Sequence, residues 1–141
     1  MKTVFVIGGT RGIGKATLEI FLEKGYNVAF TYKESGTQAS TLEKELQERF
    51  PKSQVRKYQL NVTDEQQVDS VCEQVISDFG TLHALVCNAG IAKGGLLASH
   101  STEVWNEVLQ TNLTGTFFVC RALITHFLLN RQGKILSLIH I

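Results

Sequence analysis

The segment Gly8-Gly9-Thr10-Arg11-Gly12-Ile13-Gly14 constrains this chain more than any other feature. It lies between a short apolar run and an amphipathic stretch, where a strand turns into a helix. Glycines in a G-x-x-x-G-x-G pattern let the backbone adopt conformations that a β-carbon forbids, and bring main-chain N–H groups close to an anion. A helix that starts directly behind such a loop presents about half a positive charge and several unpaired donors. A strand, a glycine turn and a helix in that order form a cradle for phosphate.

The rest of the chain repeats the strand-helix theme. Strands are expected near 3–8, 27–32, 54–60, 83–87 and 134–139, and helices near 12–24, 38–49, 64–79 and 102–130. The runs Thr3 to Ile7 and Ala84 to Cys87 are continuously apolar, which suits a parallel sheet covered by helices on both faces. In the first helix, Ile13, Ala16, Thr17, Ile20, Phe21 and Leu22 are expected to form the apolar stripe, with Gly25 as the stop. In the third, Val68, Val71, Cys72, Val75, Ile76 and Phe79 recur at three and four before Gly80, and Asp64 supplies negative charge at the N-terminus. Alternation of this kind predicts an α/β fold, a doubly wound parallel sheet of the Rossmann type. The sheet is expected to be truncated after about its fifth strand.

Composition narrows the partners. The 141 residues are 43% hydrophobic and 19% charged with a formal net charge of +1, as in an ordinary soluble globular protein. Acidic and basic residues are interspersed, and no basic stripe offers a nucleic-acid footprint. The apolar start is too short for a membrane span and lacks a signal cleavage region, so no membrane partner and a cytoplasmic location are expected. Cys72, Cys87 and Cys120 are far apart in sequence, and His83, His100, His126 and His140 form no H-x-x-x-H pair; no metal site is expected.

Two nucleotide readings fit the glycine loop. Gly9 to Lys15 matches most of a P-loop, but Ala16 stands where that motif needs a magnesium-binding hydroxyl. A dinucleotide site keeps all its parts. In NAD sites a carboxylate at the end of the second strand binds the adenine ribose diol. Here that place reads Thr31-Tyr32-Lys33, with Tyr32 in the position of the acid and a cation next to it. Arg11 projects from the glycine loop toward the same ribose. Two cations and no acid at this point favour a 2′-phosphate, hence NADP(H).

With those residues in place, the chain resembles the short-chain dehydrogenase/reductase family from Lys2 to about Ile135. Four motifs occur in order. The first is the glycine loop, with Ile7 where the family usually has Thr. Leu60-Asn61-Val62 follows at the end of the third strand, where the family contacts adenine. Cys87-Asn88-Ala89-Gly90 is similar to the family's N-N-A-G, with its first Asn replaced. Asn112-Leu113-Thr114-Gly115 then lies in the long helix, with the family's structural-catalytic Asn falling on Asn112.

The resemblance implies that Gly8, Thr10, Arg11, Gly12, Ile13, Gly14, Tyr32, Lys33, Asn61, Val62, Asn88, Ala89 and Gly90 hold NADP(H). It implies an NADPH-dependent carbonyl reductase or alcohol dehydrogenase, most similar to 3-oxoacyl-carrier-protein reductases, that takes a small-molecule or acyl-thioester carbonyl. Fatty acid biosynthesis is the implied setting. Other alcohol or sugar dehydrogenases of the family, and a non-enzymatic NADP-binding or interaction module, are the alternatives. Members commonly pair the long helix across a two-fold axis, so a homodimer or homotetramer is implied, with Phe117, Phe118, Leu123 and Phe127 as core or interface. Ile7 lacks the hydroxyl that usually ties the first strand to the N-A-G turn, so that contact must be lost or replaced.

In this family a Tyr donates the proton, a Lys lowers its pKa, a Ser orients the carbonyl and the helix Asn holds a relay water. Asn112 is the catalytic candidate here, and a buried helix Asn can also serve as a structural amide. No Tyr-x-x-x-Lys segment occurs in the 141 residues. By position the Ser falls on His140, which is given no catalytic role. Leu136-Ser137-Leu138-Ile139-His140-Ile141 matches the translation of CTGTCTCTTATACACATC, a transposon end used to tag DNA for sequencing. The expected division is therefore an incomplete NAD(P)-binding domain over 1–135 and a non-native tail over 136–141, with no catalysis by the chain as it stands.

Overall fold

In the computed structural model, which describes residues 1–138, five parallel strands alternate with helices. The strands are β1 (Thr3–Ile7), β2 (Asn27–Tyr32), β3 (Val55–Gln59), β4 (Ala84–Cys87) and β5 (Lys134–Ser137). The helices are α1 (Gly12–Glu23), α2 (Gly36–Arg49), α3 (Glu65–Phe79), α4 (Thr102–Leu109) and α5 (Gly115–Leu129). The sheet order is β3-β2-β1-β4-β5. The chain runs from β1 to β2 and β3 on one side, then crosses back from β3 to β4 on the other side of β1, and this reversal opens a crevice at the carboxyl ends of the strands.

Strand pleating divides the core in two. Val4 and Val6 face one side, with Val28 and Phe30, and pack on Leu18 and Leu22 of α1 and Leu42 and Leu46 of α2. Phe5 and Ile7 face the other side, with Leu85 and Cys87, and pack on Val68, Cys72 and Val75 of α3 and Val119, Leu123 and Phe127 of α5. Both faces of β1 are therefore covered, and its five residues are all buried. This is why the strand reads as an unbroken apolar run.

The expected face of α1 holds at Leu22, which is buried, and at Phe21, which packs against the core, and is corrected elsewhere. Gly14, Leu18 and Leu22 face the sheet, whereas Ile13 and Ile20 are 59% and 54% exposed. The three buried residues are spaced by four and lie one above another on the helix. Gly14 meets the Gly8 carbonyl of the turn after β1, and Ile13, one residue earlier, points roughly 100° away around the helix.

The expected single helix over 102–130 contains a change of winding. A π-helical turn over Gln110–Thr114 joins α4 to α5 without breaking the rod. The rod Thr102–Leu129 is long and apolar enough to cross a membrane by length and composition. Its α5 portion buries Gly115, Val119, Leu123 and Phe127 within the protein. Leu113, Phe117 and Leu128 lie exposed on the rod. Of the four candidates there, Leu123 and Phe127 belong to the core, Phe118 packs at its margin and Phe117 is outside it.

At the sheet edge Ile135 and Leu136 are exposed. Leu136 and Ser137, which open the segment read as foreign, pair in register with Val86 and Cys87 of β4. Residues 139–141, and with them the end of the expected strand 134–139, lie outside the described residues.

Candidate cofactor-binding site

A cleft of about 600 Å³ opens at the carboxyl ends of β1, β2, β3 and β4. Gly8, Thr10, Arg11, Gly12 and Ile13 form its floor after β1, and Tyr32 and Lys33 stand at the end of β2. Asn61 and Val62 line it after β3, and Asn88, Ala89 and Gly90 after β4. Four turns that are distant in sequence thus meet around one space because parallel strands all end on the same side.

The helix ends around the cleft differ from those elsewhere. At α3 the Asp64 side chain accepts from Gln67 N–H, and at α4 the Ser101 side chain accepts from Val104 N–H. Each of these helices also has an acidic residue in its first turn. By contrast α1 and α2, whose first turns border the cleft, have no side-chain cap and no acid in the first turn. Among the described residues, the main-chain N–H groups of Arg11, Gly12 and Ile13 have no acceptor within the protein. Orphan donors at an uncapped, unneutralised helix end suit an anion. This is the observation that makes the loop fit a dinucleotide pyrophosphate.

Gly14 does not line the cleft. A β-carbon there would lie 2.0 Å from the Gly8 carbonyl oxygen and 2.7 Å from Asn88 Nδ2. Its role is to let α1 approach the loop, and Asn88 Nδ2 then donates to the same Gly8 oxygen at 2.7 Å. The β1 turn is tied both to β2 and to the turn after β4. Thr31 Oγ1 accepts from Gly8 N–H at 3.0 Å, and Asn88 N–H donates to the Ile7 carbonyl at 3.1 Å. Asn88, through its main-chain N–H and its side-chain amide, joins the β1 and β4 turns without a Thr at position 7. Thr31 was hidden in the sequence because it reads as one more β-branched strand residue.

Charge at the end of β2 is mixed. Among the described residues no carboxylate pairs with Arg11 or Lys33, so both cations are available to a ligand. Glu34, which sequence reasoning left out, also borders the cleft, together with Ser35 and Gln38. Two cations and one acid still leave this end positive. Gln38 Nε2 reaches the Thr10 carbonyl at 3.5 Å, a long contact between α2 and the glycine loop. Across the cleft, Asn61 Oδ1 accepts from both the N–H and the hydroxyl of Thr63, which holds the post-β3 turn.

Asn112 sits beside a smaller recess of about 160 Å³ that continues from Asn88, Ala89 and Gly90. Its amide makes two 2.8 Å bonds to Ile91, accepting from the N–H and donating to the carbonyl. Its own carbonyl accepts from Thr116 Oγ1 at 2.9 Å. The side chain therefore fixes the turn that follows Asn88-Ala89-Gly90. It does so from the π-helical turn, a local widening often found where a helix serves a site.

Fold and cleft together define a Rossmann-type protein built to hold a dinucleotide across its switch point. The short chain dehydrogenase family profile matches residues 2–139, and the chain belongs to that family. It is 35% identical over 137 residues to the 3-oxoacyl-[acyl-carrier-protein] reductase FabG of Staphylococcus aureus (strain Mu50 / ATCC 700699), covering 97% of this chain and 55% of the relative. Identity to the enzyme of that name from Escherichia coli (strain K12) is 33% over 138 residues, covering 97% and 54%. The chain thus spans about half the length of the curated relatives it matches. Among solved structures, the NADPH-dependent 3-quinuclidinone reductase from Rhodotorula rubra superposes with a TM-score of 0.88 at 31% identity, covering 96% of this chain and 51% of that one. ElxO with NADP bound gives 0.84 at 34%, covering 96% and 54%.

Proposed function

We propose that the cleft binds NADP(H), and that the protein is an NADPH-dependent carbonyl reductase resembling 3-oxoacyl-carrier-protein reductases. The supporting observation is the pairing of two uncapped helix N-termini with the free cations Arg11 and Lys33 around one cleft. Arg11 N–H, Gly12 N–H and Ile13 N–H would receive the pyrophosphate. Lys33 and the Arg11 guanidinium would receive the ribose 2′-phosphate, and Asn61 and Val62 would border the adenine. Asn88, Ala89 and Gly90 would lead to the nicotinamide end, where Asn112 positions the Ile91 turn. Bound NADPH supplies a hydride to the substrate carbonyl. Carbonyl reduction also needs a proton donor at the oxygen.

The relatives named for NADPH and for 3-oxoacyl substrates support this reading, as does the free Arg11–Lys33 pair. A cytoplasmic location follows from the same likeness. The exposed apolar residues Leu113, Phe117 and Leu128 support self-association along the α4–α5 rod. Residues 1–141 are expected to bind cofactor without turnover, because no Tyr-x-x-x-Lys segment is present. The test is NADPH oxidation by residues 1–141 with a 3-oxoacyl thioester. A rate equal to the protein-free rate is expected; turnover that disappears in Asn112→Ala would mean these residues hold the proton-transfer machinery after all.

A further inference from the structure

His83 and His126 lie near each other at the end of the sheet opposite the cleft, and the cofactor chemistry uses neither. His83, just before β4, accepts on Nδ1 from the Thr3 main-chain N–H at 3.1 Å. Its own N–H donates to the Thr3 carbonyl at 2.8 Å, and its carbonyl accepts from Lys134 N–H at 3.1 Å. His126 of α5 accepts on Nε2 from the N–H of Leu82 at 3.1 Å, and Leu82 is fully buried. A ring nitrogen that meets an N–H must present its lone pair, so its proton sits on the other nitrogen. His83 therefore carries hydrogen on Nε2 and His126 on Nδ1. Asn130 Nδ2 lies 3.5 Å from His126 Nδ1 and donates to the His126 carbonyl at 2.7 Å.

We infer that His83 and His126 form an acid-sensitive clamp, in which two neutral imidazoles of opposite tautomer tie the starts of β1 and β4 to α5 and release both ties on protonation. An imidazolium is a donor at both nitrogens. Protonation would set the Thr3 and Leu82 N–H groups each against a donor and place two cations near each other. Charged groups on the surrounding elements are Lys2 before β1, Asp78 of α3, Arg131 after α5 and Lys134 of β5. Asp78 is engaged by Tyr58 and Arg56, and among the described residues none of the four bonds to either ring. No carboxylate therefore stands ready to stabilise the charged form. Burial lowers the His126 pKa from its usual 6.5, and neighbouring His83 lowers it further. Since the neutral form of His126 is favoured in the folded state, its tie to Leu82 contributes fully above the unfolded value. Its contribution is lost as pH falls through the lower folded value.

His83→Asn places an amide oxygen near the position of Nδ1, and His126→Gln places one near Nε2. Both are acceptors that do not titrate. The measurement is the thermal midpoint of residues 1–141 between about pH 8 and about pH 5.5, in the natural chain and in the double variant. A fall of several degrees is expected in the natural chain, as about 1 kcal/mol produces in a domain of this size, and at least half of it should vanish in the double variant. An equal fall in a double variant that is folded at the upper pH overturns the clamp. Imidazole ¹⁵N shifts of the natural chain at about pH 8 test the clamp independently of how the variant folds. Nε2–H in His83 with Nδ1–H in His126 is expected, and a charged ring or one shared tautomer overturns it.

Discussion

Gly14 and Thr31 carry more of the site than their sequence positions suggest. A side chain at Gly14 would collide with the Gly8 carbonyl and with Asn88 Nδ2, the two groups that join the β1 and β4 turns. Gly14→Val is expected to weaken NADPH binding by about 5- to 100-fold, since overpacking costs roughly 1–3 kcal/mol and each 1.4 kcal/mol is tenfold. A fluorescence titration checks this, with circular dichroism to verify that the helices persist; unchanged affinity would mean that the loop tolerates the displacement. The glycine spacing was legible in the sequence. The division of labour within it was not, because distance to a carbonyl oxygen from another turn is a tertiary fact. The same holds for the hydroxyl of Thr31, which holds the β1 turn to β2.

Helix ends separate the parts of this molecule that hold themselves closed from the part that is open. Asp64 caps α3 and satisfies Gln67 N–H. Asp64→Ala should therefore lower stability by about 1 kcal/mol, measured by urea unfolding, with little change in cofactor affinity. At α1 the converse is expected. Arg11→Asp supplies the missing cap and first-turn charge, so the thermal midpoint of the free protein should rise while NADPH affinity falls at least about tenfold. A variant that loses stability and keeps its affinity would show that α1 does not hold an anion. The order of strands and helices was readable from apolar periodicity, and strand bounds fell within about two residues over the described part. Periodicity failed for α1, where small Gly14 marks the contact face and exposed Ile13 and Ile20 imitate one. It also missed the π-helical turn, from which Asn112 reaches Ile91 across 21 positions.

At the scale of the whole molecule, two apolar layers enclose a fully covered β1 and leave polarity for the carboxyl ends of the strands. The thiols belong to the layers. Burial raises the Cys72 pKa to about 12, and Cys87 is pushed up in the same way. A thiol with so little thiolate at neutral pH reacts slowly. Brief maleimide labelling of the native protein should therefore modify the half-exposed Cys120 alone, while denaturation exposes all three cysteines to mass spectrometry. Early labelling of Cys72 would contradict the packing of α3 on the sheet. The cleft itself is tested most directly by titrating residues 1–141 with NADPH and NADH, in the natural chain and in Lys33→Glu. NADPH should bind the natural chain more tightly by about 10- to 100-fold, the range given by a charge-assisted contact of roughly 1.5–3 kcal/mol, and Lys33→Glu should narrow or reverse that preference. Equal affinities in the natural chain, or a preference that Lys33→Glu leaves intact, would contradict a 2′-phosphate site at the end of β2.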